Sequence, residues 1–221
     1  MRLGGLVFDM DGTLIDNLKY HFLAFDEYAK QMGFTLLEPL SLKHNGLHSN
    51  DIFPMLLGED IVAEYGLDRL NNEKEEVYRE LYSPHIKPIT GLMELLQAAK
   101  ESDIKCAIGS SGCRENVEFV IEALGIKDFI DVSISGSDVT HGKPHPEIFA
   151  TAIERMGLKP EECIVVEDAV NGILAGIAAG CKCLAVTTTS SAELLSKTGA
   201  ALCIDDFTEV DIEKLQQLIN S

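Results

Sequence analysis

The sequence predicts an α/β fold, in which helices cover a mostly parallel sheet and a helical insert follows the first strand. From about residue 90 onward, short apolar runs alternate with segments of helical periodicity. This alternation is typical of strand–helix–strand units and of a parallel sheet. Residues 3–8 (LGGLVF) are apolar or glycine throughout, as expected of a central strand that is buried on both faces. Residues 16–87 break the alternation, because they contain helical patterns and no convincing strand.

The first elements in chain order are one strand and the helices of the insert. The strand at residues 3–8 ends where Asp9 interrupts the apolar run. Apolar residues three or four positions apart then indicate helices, which we predict at residues 17–31, 50–57, 59–65 and 70–81. Pro84 and Pro88 are plausible linker positions, since proline interrupts regular structure. We therefore predict a core made of residues 1–15 and 88–221 and a helical domain at residues 16–87.

The remaining elements alternate between strand and helix up to the end of the chain. The predicted strands are residues 104–109, 132–134, 163–166, 183–186 and 201–204, and the predicted helices are residues 114–124, 146–156, 169–179 and 210–219. Gly125, Gly157 and Gly180 close the first three helices, because glycine adopts the left-handed backbone that commonly ends a helix. Pro146 suits the first turn of its helix, where no backbone N–H is needed.

Composition and charge exclude several classes of protein. The 221 residues are 46% hydrophobic and 24% charged, which is typical of a globular chain and excludes disordered and fibrous classes. A formal charge of -18 makes nucleic acid and anionic lipid unlikely partners, because like charges repel. No apolar run approaches the roughly 18 residues of a membrane span. Six cysteines without metal-binding spacing predict buried thiols and a reducing cytoplasmic location.

Two acidic residues, Asp9 and Asp11, directly follow the first strand in the segment DMDGT. Carboxylates two positions apart on an extended chain point to the same side, and the carboxyl ends of parallel strands are where ligands bind. A structural interpretation is an acid pair that caps the next helix. The functional one is a nucleophile beside a proton shuttle at a metal site, because an aspartate can attack phosphorus and a second acid can transfer protons.

The full segment VFDMDGTLID resembles the first motif of the haloacid dehalogenase superfamily, most of whose members transfer phosphoryl groups. The other expected motifs occur in order and in the predicted settings: Ser110 follows the strand IKCAIG, Lys143 lies in HGKPHPEIF, and Glu167 and Asp168 follow the strand CIVV. The resemblance covers nearly the whole chain. It implies a Rossmann-like catalytic core and identifies the helical insert as a cap domain.

The resemblance also implies a role for each acidic residue. Asp9 would be the nucleophile and a ligand of Mg²⁺. Asp11 would give its backbone carbonyl to the metal and its side chain to general acid and base catalysis. Asp168 would be a carboxylate ligand, and Glu167 would orient a metal-bound water. Oxygen ligands of this kind suit Mg²⁺.

Other residues of the motifs would bind phosphate or hold the local structure. Ser110 would donate a hydrogen bond to a phosphate oxygen, and the backbone N–H near Ser111 would do the same. Lys143 would neutralise charge on Asp9 and on the transferring phosphoryl group; outside the motif it would be read as a solvated surface lysine. Thr13 is expected to make local hydrogen bonds, and Asp16 to cap the following helix.

The helical insert resembles the cap of the β-phosphoglucomutase-like branch, which contains sugar-phosphate mutases and phosphatases. His21, in the segment YHFLAF, is similar to the first cap helix of the mutases. Residues 44–51 (HNGLHSND) depart from the mutases, which place a lysine and an arginine around the glycine that is Gly46 here. No basic residue lies between Lys43 and Arg69 to hold the second phosphate of a bisphosphate. We therefore favour a phosphatase acting on a sugar or polyol phosphate, and a β-phosphoglucomutase is the alternative.

Several residues have both a functional and a structural interpretation. The substrate-binding candidates in the insert are His21, Asn45, Gly46 and His48, although a helical histidine is more often structural; His44 is a weaker candidate. Arg114 faces the pocket or lies on a helix surface. His141 and His145 are expected on a surface turn. The expected partner is a small phosphate ester, and the oligomeric state is left open, with a monomer as the expectation.

Other enzyme and signalling classes fit the sequence less well. A receiver module is shorter and has no helical insert. A dehalogenase needs neither Asp11 nor a metal, and a phosphonate hydrolase needs a Schiff-base lysine, for which only Lys19 and Lys43 are early candidates in the insert. A catalytically silent scaffold would lack some of these groups, whereas this chain has them all.

Overall fold

The computed structural model describes residues 1–40 and 49–221 of the chain, and side chains are described for residues 1–40 and 51–221. The chain divides into two compact units. The sheet unit contains Met1–Asp16 and Lys87–Ser221, and the helical unit is Asn17–Ile86. Each unit is described by itself below.

The sheet unit is built on six parallel strands in the spatial order β3-β2-β1-β4-β5-β6. The strands are β1 (Gly5–Phe8), β2 (Lys105–Gly109), β3 (Val132–Ile134), β4 (Cys163–Glu167), β5 (Lys182–Val186) and β6 (Leu202–Ile204). β1 lies in the centre, with Phe8 in register with Ile108 on one side and Val166 on the other. Because β1 is buried at all four positions, it needs apolar residues on both faces. The predicted Rossmann-like α/β fold is confirmed.

The α-helices of the described chain, in order, are α1 (Leu18–Met32), α2 (Ser49–Leu57), α3 (Glu59–Tyr65), α4 (Leu67–Tyr82), α5 (Leu92–Glu101), α6 (Arg114–Leu124), α7 (Glu147–Met156), α8 (Val170–Ala178), α9 (Ala192–Thr198) and α10 (Ile212–Asn220). Helices α5 and α9 are absent from the sequence prediction. The signal of α9 is weak, since it buries only Leu195 among its seven residues. Helix α5 does carry a readable pattern, because Leu92, Leu95, Leu96 and Ala99 are buried at helical spacing.

In the helical unit, aromatic side chains of α1 pack against α4 and α2. The ring of Tyr20 lies 4.6 Å from that of Tyr82, and Phe25 packs 5.1 Å from Phe53 of α2. The expectation that Asp16 is the N-cap of α1 is wrong, because Asn17 takes that position, without a capping hydrogen bond from its own side chain. Gly33 ends α1 in left-handed backbone, with φ of 71°, as glycine does at helix ends.

Apolar side chains fill the space between the sheet and its helices. Val7, Ala107 and Val165 of the sheet belong to one buried cluster with Phe149 of α7 and Ile173 of α8. All six cysteines are free thiols, but the expectation that they are buried is wrong for Cys113 and Cys203, which are partly exposed. Burial raises the pKa of the other four to about 12: Cys106, Cys163, Cys181 and Cys183. In the described part of the chain, no helix is both long and apolar enough to cross a membrane.

Candidate active site

Four polar residues lie at the carboxyl ends of neighbouring strands. Asp9 follows β1, Ser110 follows β2, and Glu167 is the last residue of β4, with Asp168 next to it. Backbone hydrogen bonds to the neighbouring strands fix Asp9 and Ser110 in place. The N–H of Asp9 donates to Val166 O at 2.9 Å, and the N–H of Ser110 donates to Ile134 O at 3.0 Å. Because parallel strands end at the same edge of a sheet, residues far apart in sequence are brought together here.

Lys143 joins two of these carboxylates from the turn that precedes α7. Its Nζ donates to Oδ1 of Asp9 and, at 2.8 Å, to Oε1 of Glu167. Its side chain is only 8% exposed, and Nζ lies 4.5 Å from the centre of the Phe149 ring. The Lys143–Pro144 peptide bond is cis. The buried ammonium group therefore has anionic partners on two strands and an aromatic face beside it.

Glu167 is held at both carboxylate oxygens. Oε1 accepts from Lys143, and Oε2 accepts from the backbone N–H groups of Asp168 and Ala169, each at 2.8 Å. These two N–H groups lie just before α8, where a negative charge is favourable. Such bonds fix the orientation of Glu167, which in turn fixes Lys143 against Asp9.

Burial and mutual repulsion disfavour the charged forms of the aspartates. Burial raises the pKa of Asp9 well above its usual range; Lys143 lowers it, and the charges of Glu167, Asp168 and Asp11 raise it further. Burial and the charge of Glu167 raise the pKa of Asp168 to about 7. Burial lowers the pKa of Lys143, but Asp9 and Glu167 outweigh it, so the net shift is upward. Lys143 therefore brings one positive charge to a site that holds four carboxylates.

The carboxylate cluster has the composition of a site for a hard divalent cation. One oxygen from each of Asp9, Glu167 and Asp168 can be chosen so that all three lie within 4.8 Å of one another, and all three residues are buried. A buried excess of carboxylates is costly unless protons or a cation compensate it. Because every ligand atom is oxygen, the residues fit Mg²⁺. Asp9 and Asp168 are the better ligands, since Glu167 already uses both oxygens.

The carboxylate of Asp11 faces the loop that follows β2. A Cβ placed on Gly112 would lie 3.7 Å from Oδ2 of Asp11 and 3.2 Å from Oγ of Ser110. Gly112 N–H donates to Ser110 Oγ at 3.0 Å, while Ser111 is exposed. Residues 110–112 thus bring a hydroxyl group and backbone N–H groups, which can donate to a phosphate oxygen, close to an acid that can transfer a proton.

Three further residues contact the cluster, and two of them, Thr188 and Thr189, were missed in the sequence analysis. Gly12 has φ of +80°, and a Cβ there would collide with Asp168. Thr188 Oγ1 donates to Gly12 O, and Thr189 donates a hydrogen bond to Asp168 that lowers its pKa. The available signal was the TTTSS segment directly after β5, since polar residues at that edge of the sheet face the site. The expectation that Thr13 makes local hydrogen bonds is wrong for its hydroxyl, which donates to Asp168 Oδ1, 155 positions away in the sequence, at 3.3 Å.

Gly172 is a fourth contributor that the sequence analysis passed over. It lies in the first turn of α8, and a Cβ at this position would collide with the Glu167 carboxylate. Only glycine therefore lets the helix pass this close to the side chain. Gly172 determines whether Glu167 can reach Lys143.

The remaining candidates lie outside this cluster or outside the described residues. Arg114 donates to Oδ2 of Asp138 and, at 3.0 Å, to Oγ of Ser133, so it supports the loop after β3. In the helical unit, the ring of His21 stacks on Tyr78 with 3.9 Å between centroids. The other substrate-binding candidates of the insert lie outside the described residues: His44, Asn45, Gly46 and His48.

Comparisons with known proteins agree with this geometry. A sequence profile described as haloacid dehalogenase-like hydrolase matches residues 6–186. Hexitol phosphatase A of Escherichia coli is 30% identical over 206 residues, which are 91% of each chain. A fructose-1-phosphate phosphatase of the same organism is 30% identical over 81% of this chain and 94% of its own. The solved structure of a β-phosphoglucomutase from Clostridium difficile has a TM-score of 0.82 at 26% identity, covering 100% of this chain and 98% of its own.

Proposed function

The chain belongs to the haloacid dehalogenase-like hydrolase family and is a phosphoryl-transfer enzyme of that family, and we propose that it is a Mg²⁺-dependent phosphatase acting on a small sugar or polyol phosphate. One observation carries the proposal: a buried lysine ties Asp9 to Glu167 at the edge of the sheet where Asp11, Ser110 and Asp168 also lie. A nucleophile, a proton carrier and phosphate-binding groups are then available together, as phosphoryl transfer requires. The two phosphatases from Escherichia coli support hydrolysis of a sugar or polyol phosphate.

The first step transfers the phosphoryl group to Asp9. A carboxylate oxygen of Asp9 attacks phosphorus, and the bond between phosphorus and the ester oxygen breaks. Asp11 donates its proton to the departing oxygen, which leaves as an alcohol. Lys143 stabilises the negative charge on Asp9 before attack and on the transferring group during it. Ser110 and the backbone N–H of Ser111 hold the phosphoryl oxygens.

The second step releases phosphate and regenerates the enzyme. Asp11, now a carboxylate, takes a proton from water while the water oxygen attacks phosphorus. The bond between phosphorus and the Asp9 oxygen breaks, so Asp9 becomes a carboxylate again and Asp11 is protonated for the next cycle. Glu167 keeps Lys143 in place throughout, because its other oxygen is anchored to two backbone N–H groups.

A bound Mg²⁺ would complete the charge balance of the site. Its ligands would be the carboxylates of Asp9 and Asp168 and the backbone carbonyl of Asp11, with Glu167 orienting a water ligand. The ion would supply positive charge that keeps Asp9 ionised and offsets the charge of the phosphoryl group.

Substrate choice is assigned in this proposal to the helical unit, with His21, Asn45, Gly46 and His48 as the contributing residues. The absence of a basic residue between Lys43 and Arg69 in the sequence favours hydrolysis, because a mutase must also grip a second, dianionic phosphate. The alternative is a β-phosphoglucomutase, and the similarity to the Clostridium difficile enzyme supports it.

An assay over a panel of small phosphomonoesters in Mg²⁺ tests the proposal. The panel contains hexitol phosphates, fructose 1-phosphate, and β-glucose 1-phosphate with a trace of glucose 1,6-bisphosphate, and both free phosphate and sugar products are followed. We expect phosphate release from several sugar or polyol phosphates. Formation of glucose 6-phosphate without phosphate release would establish the mutase instead.

Two variants test the assigned roles with the substrate that the panel identifies. Asp9→Asn should abolish turnover and leave the circular dichroism spectrum unchanged, because the amide cannot act as the nucleophile. Asp11→Asn should slow departure of the alcohol and trap the aspartyl phosphate, which mass spectrometry detects as a covalent adduct. Normal turnover in either variant would remove that residue from its role.

A further inference from the structure

The turn that carries Lys143 has a second group of possible metal ligands on its exposed side. Nδ1 of His141 lies 2.8 Å from Oε2 of Glu147, and Nδ1 of His145 lies 3.8 Å from the same oxygen. The two imidazole rings are 4.5 Å apart. One ligand atom from each of the three residues can be chosen so that all lie within 4.8 Å of one another. In the structure the 2.8 Å separation is a hydrogen bond between the His141 ring and the Glu147 carboxylate, and an ion bound among the three residues would replace it.

The carboxylate of Glu147 is fixed in place by the backbone of the same turn. Its Oε1 accepts from the N–H of Thr140 and its Oε2 accepts from the N–H of His141, each at 2.9 Å. Glu147 is also the first residue of α7, so its backbone is part of a regular element. Hydrogen bonds to a ligand orient it for a metal, and here they hold one ligand while two histidines approach it.

The three side chains are accessible to ions from solvent. The exposed fraction of the side chain is 61% for His141, 50% for His145 and 27% for Glu147. An ion bound there would therefore keep at least one water ligand. Lys143 lies in the same turn but points its ammonium group into the buried cluster, where it contacts Asp9 and Glu167. Lys143 therefore takes no part in the exposed group.

The donor set differs from that of the buried cluster. Two imidazole nitrogens and one carboxylate oxygen are typical of Zn²⁺ and related transition metals, whereas Mg²⁺ prefers oxygen alone. We propose that His141, His145 and Glu147 form a binding site for a transition-metal ion such as Zn²⁺. The site joins the two ends of the turn around Lys143, so an ion bound there restrains the backbone that positions this lysine. The proposal does not depend on the phosphatase activity.

Calorimetric titration of the full-length protein with Zn²⁺, in the presence of saturating Mg²⁺, tests this site. We expect one ion to bind per chain. Loss of a residue that merely orients a metal ligand weakens binding about 10- to 100-fold, so His141→Ala, His145→Ala and Glu147→Gln should each weaken it at least about tenfold. His85→Ala removes another exposed histidine and should leave the affinity unchanged. Unchanged affinity in the three variants would overturn the proposal.

Nuclear magnetic resonance of the histidine rings gives a second and independent readout. Of the six histidines in the chain, only His141 and His145 should shift or broaden when one equivalent of Zn²⁺ is added. Asp168→Asn alters the buried cluster and should leave these shifts intact. If Asp168→Asn abolishes Zn²⁺ binding while His141→Ala retains it, the ion belongs to the buried carboxylates and the proposed site is wrong.

Discussion

At the scale of single residues, the absence of a side chain matters as much as the presence of a charged one. Gly172 provides the space that the Glu167 carboxylate occupies, and Glu167 holds the lysine that contacts Asp9. A methyl group at position 172 has no room unless Glu167 or α8 moves, because protein interiors are close-packed. The reach of Lys143 to Asp9 therefore depends on a residue that has no side chain.

Gly172→Ala should lower turnover with the substrate found in the panel by about tenfold or more, because small displacements of positioned groups are costly in catalysis. Steady-state kinetics and a Mg²⁺ titration of the variant measure this loss. Gly157→Ala is the matched control: it also replaces a glycine with alanine, but a Cβ there meets no atom within 4 Å. Gly157 has left-handed backbone, with φ of 71°. Because alanine adopts this conformation less readily than glycine, the control variant should lose about 1 kcal/mol of stability. Normal turnover in Gly172→Ala would exclude a positioning role.

At the scale of elements, one carboxylate connects the loop after β3 to the start of α6. Asp138 Oδ2 accepts from the N–H and the hydroxyl of Ser135, each at 2.7 Å, and it pairs with Arg114, the first residue of α6. Burial raises the pKa of Asp138, but the hydrogen bonds from Ser135 and the charge of Arg114 outweigh it, and the net pKa is lowered. The ionised form is therefore stabilised by folding.

A lowered carboxyl pKa predicts how stability depends on pH. The stabilisation by Asp138 is fully present above the pKa of the unfolded chain, about 4, and is lost as pH falls through the lower pKa of the folded state. Asp138→Asn should cost about 1 kcal/mol of unfolding free energy at pH 7. The difference from the wild type should shrink below about pH 4, as urea denaturation at a series of pH values would measure. Asp128→Asn, at another exposed acid, is the control; a difference for Asp138→Asn that stays constant with pH would contradict the assignment.

At the scale of the whole molecule, the charge of the chain opposes the binding of a phosphate ester. The formal charge is -18, and the buried cluster adds its own local excess of carboxylates. A chain of this charge attracts an anion only where local positive charge reverses the field. Lys143 supplies part of that charge, and the oxygen ligands fit a cation that supplies the rest.

Adding a metal ion and removing one carboxylate should therefore each relieve the repulsion between the buried charges. Without a metal, Asp168→Asn should be at least as stable as the wild type, because it removes one of several repelling charges. Mg²⁺ should raise the melting temperature of the wild type. At a Mg²⁺ concentration of about 100 times Kd, the free energy of unfolding should increase by about 2.7 kcal/mol. Calorimetry in chelator and in Mg²⁺ measures both effects, with the exposed Asp26→Asn as control. An equal gain in Asp168→Asn would contradict the role of this residue as a ligand.

The relatives support the family and its chemistry, and the roles of residues 44–48 in substrate binding stay predictions. The assignment of His21 as a substrate contact stays a prediction as well, since its ring stacks on Tyr78 within the helical unit. The panel of phosphomonoesters decides between hydrolysis and transfer without reference to these residues.

The sequence by itself determined the fold class, the order of the strands along the chain and the identity of the motif residues. These depend on local signals: apolar runs, helical periodicity, and glycine where a helix ends, as at Gly125 and Gly157. Only the tertiary structure decided which of these residues meet. Lys143 contacts Asp9 across 134 positions of sequence, and Thr13 contacts Asp168 across 155. Such pairs follow from the parallel order of the strands, and the space at Gly172 follows from close packing, which local patterns do not encode.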